Sequence, residues 1–267
     1  EGVVSAACFF QPQLVDIPDI VLAHDAEYVA SLIDLSLDAK MVRRIGFPLS
    51  QSLVDRERYI LDGTIQASLF ALAHRVAFNI AGGTHHAGRD FGEGFCLLND
   101  QAVAAAYLLD TQQAKKVLII DLDVHQGNGT AHIFKDHPNV FTFSMHSEKN
   151  FPFIKERSDL DVALPDGMHD DAYLALLKIH LNEVFHTFNP DFVFYQAGVD
   201  ILATDKLGKL KLTAAGCRLR DEIVFDKCRE NGVPVQVSMG GGYSEHIKDI
   251  VNAHVNTYKT AIDIFDL

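Results

Sequence analysis

Residues 116–125 have the sequence Lys116-Val117-Leu118-Ile119-Ile120-Asp121-Leu122-Asp123-Val124-His125. The continuous run of Val, Leu and Ile is typical of a strand that is buried on both faces of a parallel sheet. After this run, Asp121, Asp123 and His125 recur at every second residue, so on an extended chain their side chains share one face. Leu122 and Val124 then point the opposite way, into packing. The stretch thus predicts a core strand that ends in three polar side chains on one side.

Other apolar runs resemble this one and alternate with segments of helical periodicity. The further strand candidates are residues 75–80, 140–144, 192–196 and 234–239. The helix candidates are residues 51–74, 100–110, 171–187, 213–230 and 244–264, with caps at Asn99, Asp170, Leu212-Thr213 and Ser244 for the last four. The alternation indicates an α/β fold of three layers, α/β/α, with a mostly parallel sheet. Because no linker or repeat divides the chain, we expect a single domain over residues 1–267.

Glycines, histidines and acids are concentrated directly after the predicted strands. These segments are residues 82–88, 121–129, 144–146, 196–200 and 240–243. In open parallel sheets, ligands bind beyond the carboxyl ends of the strands. We therefore expect the functional site at this edge of the sheet.

Asp123 and His125 indicate a metal ion. Buried carboxylates are costly unless a cation compensates them, and Asp and His side chains together favour a borderline divalent ion. A catalytic zinc site uses three protein ligands and leaves one position open, and Asp200 at another predicted strand end is the candidate for the third ligand. Taken alone, the run of two acids and a histidine also fits ordinary salt bridges at a strand end. The four other segments favour the metal site.

Several nearby side chains suit metal-assisted hydrolysis. An imidazole with a near-neutral pKa can take a proton from water and later give it to a leaving group, and His85 and His86 follow a Gly-Gly turn. Asp121 and Asn128 are available to orient these rings. Tyr243 follows three glycines and could donate a hydrogen bond to an oxygen that becomes negative. Each of these residues, taken alone, also fits a structural role.

Together these residues resemble the zinc-dependent histone deacetylase family, within the arginase–deacetylase superfamily. The matching elements, in family order, are Gly82-Gly-Thr-His-His-Ala87, Gly94-Phe-Cys96 with Asn99-Asp100, Asp121-Leu-Asp-Val-His-Gln-Gly-Asn-Gly129, Ser144-Met-His146, Gln196-Ala-Gly-Val-Asp200 and Gly240-Gly-Gly-Tyr243. The short loops and Asn128 resemble those of class IV and bacterial members more than those of class I, which has aspartate at that position. The resemblance implies the arginase–deacetylase fold. It also implies that the family's first strand, which precedes the region resembling residues 1–21, is missing here.

The resemblance implies roles for individual residues. It implies that Zn²⁺ is bound by Asp123, His125 and Asp200. The implied catalytic groups are His85, His86, Asp121, Asn128 and Tyr243. Among these, His86 would be the general base and acid, His85 with Asp121 would give electrostatic support, and Tyr243 would polarise the acyl carbonyl. Because an asparagine replaces the acid at position 128, His86 would lack a carboxylate partner.

The resemblance also implies a substrate tunnel and a second cation. The substrate would contact the Gly94 carbonyl, Gly241, and tunnel walls from Phe95 and Phe151, although the two phenylalanines equally fit the core. The monovalent cation, usually K⁺, would be bound by Asp121, Ser144 and backbone carbonyls of Asp123, His125 and Met145.

The implied function is that of a zinc-dependent amidohydrolase that removes acetyl or longer acyl groups from lysine side chains of proteins or peptides. One alternative with the same fold is deacetylation of small acylated amines such as acetylpolyamines. Another is a catalytically silent fold that serves as a binding module. An arginase-like binuclear manganese hydrolase would typically need a further acid two residues beyond Asp200, where this chain has Leu202.

Composition limits the classes of partner. The 267 residues carry 23 Lys and Arg against 36 Asp and Glu, a formal net charge of −13, which argues against nucleic acid or an anionic membrane as the main partner. No apolar stretch is long enough for a membrane span, and the 4 cysteines form no CxxC pair. We therefore expect a cytoplasmic protein, or a nuclear one if the source is eukaryotic. The chain begins with Glu1, so we expect that the biological start lies upstream.

Overall fold

A computed structural model describes residues 2–267 and contains one open sheet of parallel strands. The strands are β1 (Val76–Asn79), β2 (Val117–Asp121), β3 (Val140–Ser147), β4 (Leu160–Leu164), β5 (Phe192–Gln196) and β6 (Val235–Ser238). Their order across the sheet is β1-β6-β5-β2-β3-β4, and every pair is parallel. The predicted strand runs all belong to this sheet.

The edge strand β4 was not predicted. Its sequence, from Leu160 to Leu164, pairs with β3 from Phe143 onward, and its side chains alternate between exposed and partly buried positions. An edge strand of this kind has no continuous apolar run, because only one of its faces packs against the protein. Asp161 within it accepts a hydrogen bond from Gln126 Nε2 at 2.8 Å.

Helices cover both faces of the sheet in the described part of the chain. They are α1 (Ile17–Ile20), α2 (Ala26–Ile33), α3 (Ala39–Ile45), α4 (Gln51–His74), α5 (Asp100–Asp110), α6 (Asn128–Ile133), α7 (Asp170–Phe188), α8 (Ala214–Asn231) and α9 (Ile247–Phe265), with a 3₁₀ turn at Ala6–Cys8. None of the helices within residues 2–267 combines the length and the apolar character that crossing a bilayer requires.

Two of the predicted helix caps are confirmed and two are wrong. The Asn99 and Thr213 side chains accept hydrogen bonds from backbone amides at the starts of α5 and α8. Helix α7 begins after His169, and Asp170 instead accepts hydrogen bonds from the Thr213 amide and hydroxyl at 2.9 and 2.6 Å. Ser244 also does not cap a helix: α9 begins after His246, and the Ser244 hydroxyl bonds that of Thr204. Both side chains bond to residues that are far away in the sequence. No local pattern shows such contacts.

Alternating side chains of each strand enter two hydrophobic cores, one on each side of the sheet. Leu118 and Ile120 of β2 pack with α7, α8 and α9, whereas Val117 and Ile119 pack with α2, α4 and α5. The result confirms the predicted three-layer α/β/α fold with a parallel sheet. Leu122 and Val124 extend the first of these cores beyond the end of β2, as their alternation predicts.

The strand order places a topological switch point between β2 and β5. From β2 the chain runs outward through β3 to β4, and it then returns to β5 on the other side of β2. At such a point the loops that leave two neighbouring strands diverge and open a crevice at their carboxyl ends. The segments after β2 and β5 that contain Asp123 and Asp200 border this crevice.

A buried ion pair supports the crevice from below. The Arg220 side chain of α8 is fully buried and donates to Asp221 Oδ1 at 2.7 Å and to the Gly198 carbonyl. It also contacts the carbonyls of Leu122 and Ala197, each at 3.4 Å. Asp221 accepts further hydrogen bonds from the hydroxyls of Tyr195 and Thr257. One guanidinium therefore ties α8 to the backbone that follows both β2 and β5.

We expect Arg220→Met to lower the free energy of unfolding by about 3–5 kcal/mol, because it leaves the Asp221 carboxylate buried without its partner. Urea denaturation measures this change. Arg218→Met on the same helix is the control: its ion pair with Glu222 is solvent-exposed, so its loss should cost at most about 1 kcal/mol. Equal effects of the two substitutions would contradict a supporting role for Arg220.

Candidate functional site

The loops at the carboxyl edge of the sheet are joined through carboxylates. The Gly241 amide, after β6, donates to Asp123 Oδ2 at 2.9 Å, and the Val124 amide donates to Asp200 Oδ1 at 2.9 Å. A side chain at Gly241 would overlap the Asp200 carboxylate. The ends of β2, β5 and β6 are therefore in direct contact, and glycine is needed at position 241 for the loop to approach this closely.

Asp123, His125 and Asp200 form a cluster with the dimensions of a metal site. One ligand atom from each lies within 4.8 Å of the others. His125 Nδ1 is 3.0 Å from Asp123 Oδ1 and 3.2 Å from Asp200 Oδ2, and both carboxylates are buried. Two carboxylate oxygens and one imidazole nitrogen are a donor set that suits zinc and leaves a coordination position open.

The electrostatics of this cluster fit a bound cation. Burial and the nearby charge of Asp123 raise the pKa of Asp200 to about 7. Burial opposes the charged form of His125, but its hydrogen bonds to Asp123 and Asp200 and their charges raise its pKa to about 10. The protein atoms alone thus stabilise positive charge between the two carboxylates. A divalent ion in that place would satisfy both acids without a proton.

His85 is paired with the acid at the end of β2. Its Nδ1 lies 2.7 Å from Asp121 Oδ2, and both side chains are buried. Burial disfavours the charged imidazole, but the carboxylates of Asp121 and Asp123 outweigh it and raise the pKa of His85 to about 9. The two carboxylates therefore favour the protonated form of His85.

His86 differs from His85 in its partner and in the direction of its pKa shift. Its Nδ1 lies 2.6 Å from Asn128 Oδ1, and its ring meets the ring of Phe151 edge-on at a centroid distance of 4.9 Å. Burial, together with the positive charge of His85, holds the pKa of His86 well below its usual range. The pKa values of these two neighbouring imidazoles are therefore shifted in opposite directions.

The groups behind Asn128 were not predicted from the sequence. Asn128 Nδ2 donates to Glu93 Oε2 at 3.0 Å, and Arg44 Nη2 donates to the same oxygen at 2.9 Å. A carboxylate therefore does lie near His86, but the amide of Asn128 stands between the two and bonds to both. An acid immediately before Gly94 was the only signal in the sequence, and nothing in the linear pattern connects positions 44, 93 and 128.

The loop with the two histidines is held by a buried acid at the start of α5. Asp100 Oδ1 accepts hydrogen bonds from the amides of Gly83 and Thr84 at 2.9 and 2.8 Å. Gly83 has a φ of +114°, and a Cβ there would lie 2.7 Å from the Gly240 amide nitrogen. The loops after β1 and β6 are thus in backbone contact.

The two candidate wall residues lie in different surroundings. Phe151 packs on His86, and Gly94 fits between them, since a Cβ at Gly94 would be 2.8 Å from His86 Cδ2 and 3.1 Å from Phe151 Cε1. Phe95 is 50% exposed, and its ring packs on Phe47 at 5.2 Å. Phe151 is therefore in contact with the site, whereas Phe95 lies at its rim.

Tyr243 stands beside the cluster on the glycine loop after β6. Its amide donates to Asp205 Oδ2 at 2.6 Å, which fixes the end of the loop, and its side chain is 40% exposed. Burial and the charges of Asp123 and Asp200 raise the pKa of the Tyr243 hydroxyl. The phenol therefore keeps its proton at neutral pH and can donate a hydrogen bond.

Asp121 and Ser144 are neighbours across β2 and β3. Both line a small cavity of about 10 Å³ whose other lining residues are Ile119, Gly127, Thr130, Thr142, Phe143 and Ser158. The Ser144 hydroxyl lies 2.9 Å from His146 Nδ1, and the Met145 side chain is buried in the core. Two of the expected residues of the second cation site, Asp121 and Ser144, thus lie side by side.

Comparison with known proteins gives a consistent result. The histone deacetylase domain family matches residues 1–258. An uncharacterized protein of Picosynechococcus sp. is 46% identical, over 99% of this chain and 88% of its own length. Histone deacetylase 2 of Arabidopsis thaliana is 31% identical over 91% of this chain, which spans 65% of the plant protein.

Solved structures show the same fold. An HDAC homologue from Aquifex aeolicus superposes with a TM-score of 0.83 over 98% of this chain and 78% of its own, at 24% identity. An HDAC homologue in complex with SAHA gives a TM-score of 0.83 with the same coverage, 98% and 78%, at 26% identity. The sheet, its helices and the matched sequence agree, and the chain belongs to the histone deacetylase family of hydrolases.

Proposed function

We propose that this chain is a zinc-dependent amidohydrolase that removes acetyl or longer acyl groups from lysine side chains of proteins, with residues 1–267 as one catalytic domain. The observation that carries the proposal is the buried cluster of Asp123, His125 and Asp200, whose ligand atoms lie within 4.8 Å of one another. His86 lies beside it as a neutral imidazole. Family membership supports the reaction class.

Asp123, His125 and Asp200 would bind the zinc ion. Bound there, zinc would supply a Lewis acid that lowers the pKa of water and withdraws electrons from the acyl carbonyl. Leu202, which is buried, stands where a binuclear arginase-like site would typically need another acid. The residues present therefore favour a single divalent ion.

His86 would move the protons. A neutral imidazole can accept a proton from the attacking water and then donate it to the departing lysine amine. The depressed pKa of His86 keeps it neutral before the reaction. His85 is a poorer base because its pKa is raised to about 9, and its role is to add positive charge near the oxygen that becomes negative.

Tyr243 would stabilise the same oxygen. Its hydroxyl retains its proton, and it stands close enough to the cluster for Asp123 and Asp200 to raise its pKa. Gly241 keeps the loop against those two carboxylates, which sets the position of the phenol. Such a donor acts on charge that develops only during the reaction.

The tunnel wall suits the aliphatic stem of an acyl-lysine. Phe151 lies directly on His86, and Phe95 stands at the rim, so apolar surface leads to the reacting groups. The Gly94 carbonyl would accept a hydrogen bond from the substrate amide, because Gly94 is held between His86 and Phe151. The exposed side chains of Phe153 and Ile154 extend the apolar surface outward.

A potassium ion would occupy the region behind the histidines. Its ligands would be Asp121, Ser144 and the backbone carbonyls of Asp123, His125 and Met145. The pairing of Asp121 with Ser144 across β2 and β3 supports this assignment. A cation there would help to neutralise Asp121, whose burial raises its pKa.

The substrate is tested with a panel. An HDAC homologue with this fold was solved in complex with SAHA, which supports a site of the same kind here. We expect the zinc-loaded protein to hydrolyse acetyl-lysine or longer acyl-lysine peptides faster than acetylated polyamines, measured as kcat/KM. Higher kcat/KM for the polyamines would assign small amines as the substrate class. If no panel member were hydrolysed, the enzyme assignment would fail and the chain would be interpreted as a binding module.

We expect His86→Ala to lower kcat/KM on the best panel substrate by about 10²–10⁴-fold, because the proton acceptor is lost. Zinc content should be unchanged, since His86 is not a ligand. His186→Ala, at an exposed histidine in the last turn of α7 and so at the opposite edge of the sheet, is the control and should have no effect. Undiminished activity in the His86 variant would contradict the assignment of His86 as the general base.

The wild-type protein should contain about one zinc ion per chain by elemental analysis. Asp200→Asn should lose most of this zinc while circular dichroism stays unchanged, because one of three ligands is weakened. Asp171→Asn, an exposed acid on α7, should retain it. Two divalent ions per wild-type chain would overturn the mononuclear site.

Tyr243→Phe should lower kcat by about 100-fold with little change in KM, because the hydroxyl acts on charge that forms during the reaction. Steady-state kinetics on the best panel substrate measure both constants. A rise in KM with unchanged kcat would show instead that the phenol only binds the ground state.

A further inference from the structure

A chain of polar side chains runs from the protein surface to His86. Arg44 donates to Glu93 Oε2 at 2.9 Å, Asn128 Nδ2 donates to the same oxygen at 3.0 Å, and Asn128 Oδ1 lies 2.6 Å from His86 Nδ1. We propose that Glu93 is a positioning residue that selects the tautomer of His86. This inference rests on the proposed function, in which His86 is the base.

The tautomer of His86 follows from what each group in the chain can donate. A carboxylate has only acceptors, so Glu93 must face the amide nitrogen of Asn128 and not its oxygen. The amide oxygen then points to His86 Nδ1, which must carry the hydrogen in order to bond it. The lone pair is left on Nε2 of His86. Glu93 is two hydrogen bonds away from His86, and it therefore decides which nitrogen of His86 can accept a proton.

Without Glu93 the amide would have no preferred orientation. An asparagine side chain can present either its oxygen or its NH₂ group after a rotation of its terminal bond. The NH₂ group would donate to Nδ1 of His86 and would place the hydrogen on Nε2, which could then no longer act as a base. An aspartate at position 128 would need no such control, because both of its oxygens are acceptors.

Glu93 is itself held in place from the other side. Its amide donates to the Cys96 carbonyl at 3.0 Å, and the Phe95 amide donates to the Ile45 carbonyl at 2.8 Å. The Arg44 guanidinium lies over the Phe91 ring at 3.9 Å while it donates to Glu93. The turn that contains Glu93 is thus fixed to the end of α3, and its carboxylate is only 17% exposed.

The first experiment measures the tautomer directly by ¹⁵N NMR of histidine-labelled protein, with the His86 signals assigned by their loss in His86→Ala. We expect wild type and Glu93→Gln to carry the hydrogen on Nδ1, because glutamine can still present an oxygen to Asn128. Glu93→Ala should shift hydrogen to Nε2 and lower kcat by about tenfold. Asp90→Asn, which removes an exposed acid from the same loop, should change neither.

The second experiment asks whether the effect of Glu93 on kcat depends on the residue at position 128. Asn128→Asp places a carboxylate against Glu93, and the two negative charges repel each other. An aspartate at position 128 has only acceptor oxygens, so it fixes the hydrogen on Nδ1 of His86 by itself. Glu93→Ala, which lowers kcat in the Asn128 background, should therefore not lower kcat in the Asn128→Asp background, and relief of the charge repulsion should raise it. If Glu93 only fixed the loop through Arg44, Glu93→Ala would lower kcat in both backgrounds, which would overturn the proposal.

The two levels of inference fail in different ways. A wild-type protein that hydrolyses no acyl substrate would refute the proposed function, and the NMR measurement would still decide the role of Glu93. Retention of hydrogen on Nδ1 in Glu93→Ala would refute the positioning role even if the wild type were an active deacylase.

Discussion

The structure depends on the compensation of carboxylates that are buried at one edge of the sheet. Asp121, Asp123 and Asp200 are each at most 4% exposed, and an unpaired charge at such depth costs several kcal/mol. Each of them is satisfied by a group from another loop: an imidazole for Asp121, a glycine amide for Asp123, and the amide of Val124 for Asp200. The loops can therefore take only a few arrangements.

The same constraint couples the fold to the site. Arg220 donates to the carbonyls of Leu122, Ala197 and Gly198. These residues stand one to three positions before the candidate metal ligands Asp123 and Asp200. Helix α8 thus fixes the backbone from which these two carboxylates project. The candidate ligand atoms of Asp123, His125 and Asp200 lie within 4.8 Å of one another. Such a cluster needs a fixed backbone, because a shift of about 1 Å at a reacting centre has large effects on rate.

Much of the fold and the site could be predicted from the sequence because parallel strands end at one edge. A continuous apolar run followed by alternating polar residues located β2, and the same reasoning brought Asp123, His125 and Asp200 together. Strand β4 was missed because its exposed edge position removes the apolar run. Glu93, Arg44 and Arg220 were missed for another reason: they act on backbone or side chains far away in the sequence, and no local pattern marks such contacts.

The backbone contact between Gly83 and Gly240 has a consequence for the order in which the molecule forms during synthesis. β1 and β6 lie side by side in the sheet although they stand far apart along the chain, so β1 stays without this neighbour until β6 has emerged from the ribosome. Gly241 reaches Asp123 only at the same moment. A nascent chain that stalls before residue 235 can therefore pair only β2 to β5, and it lacks both the attachment of β1 and the contact of Gly241 with Asp123.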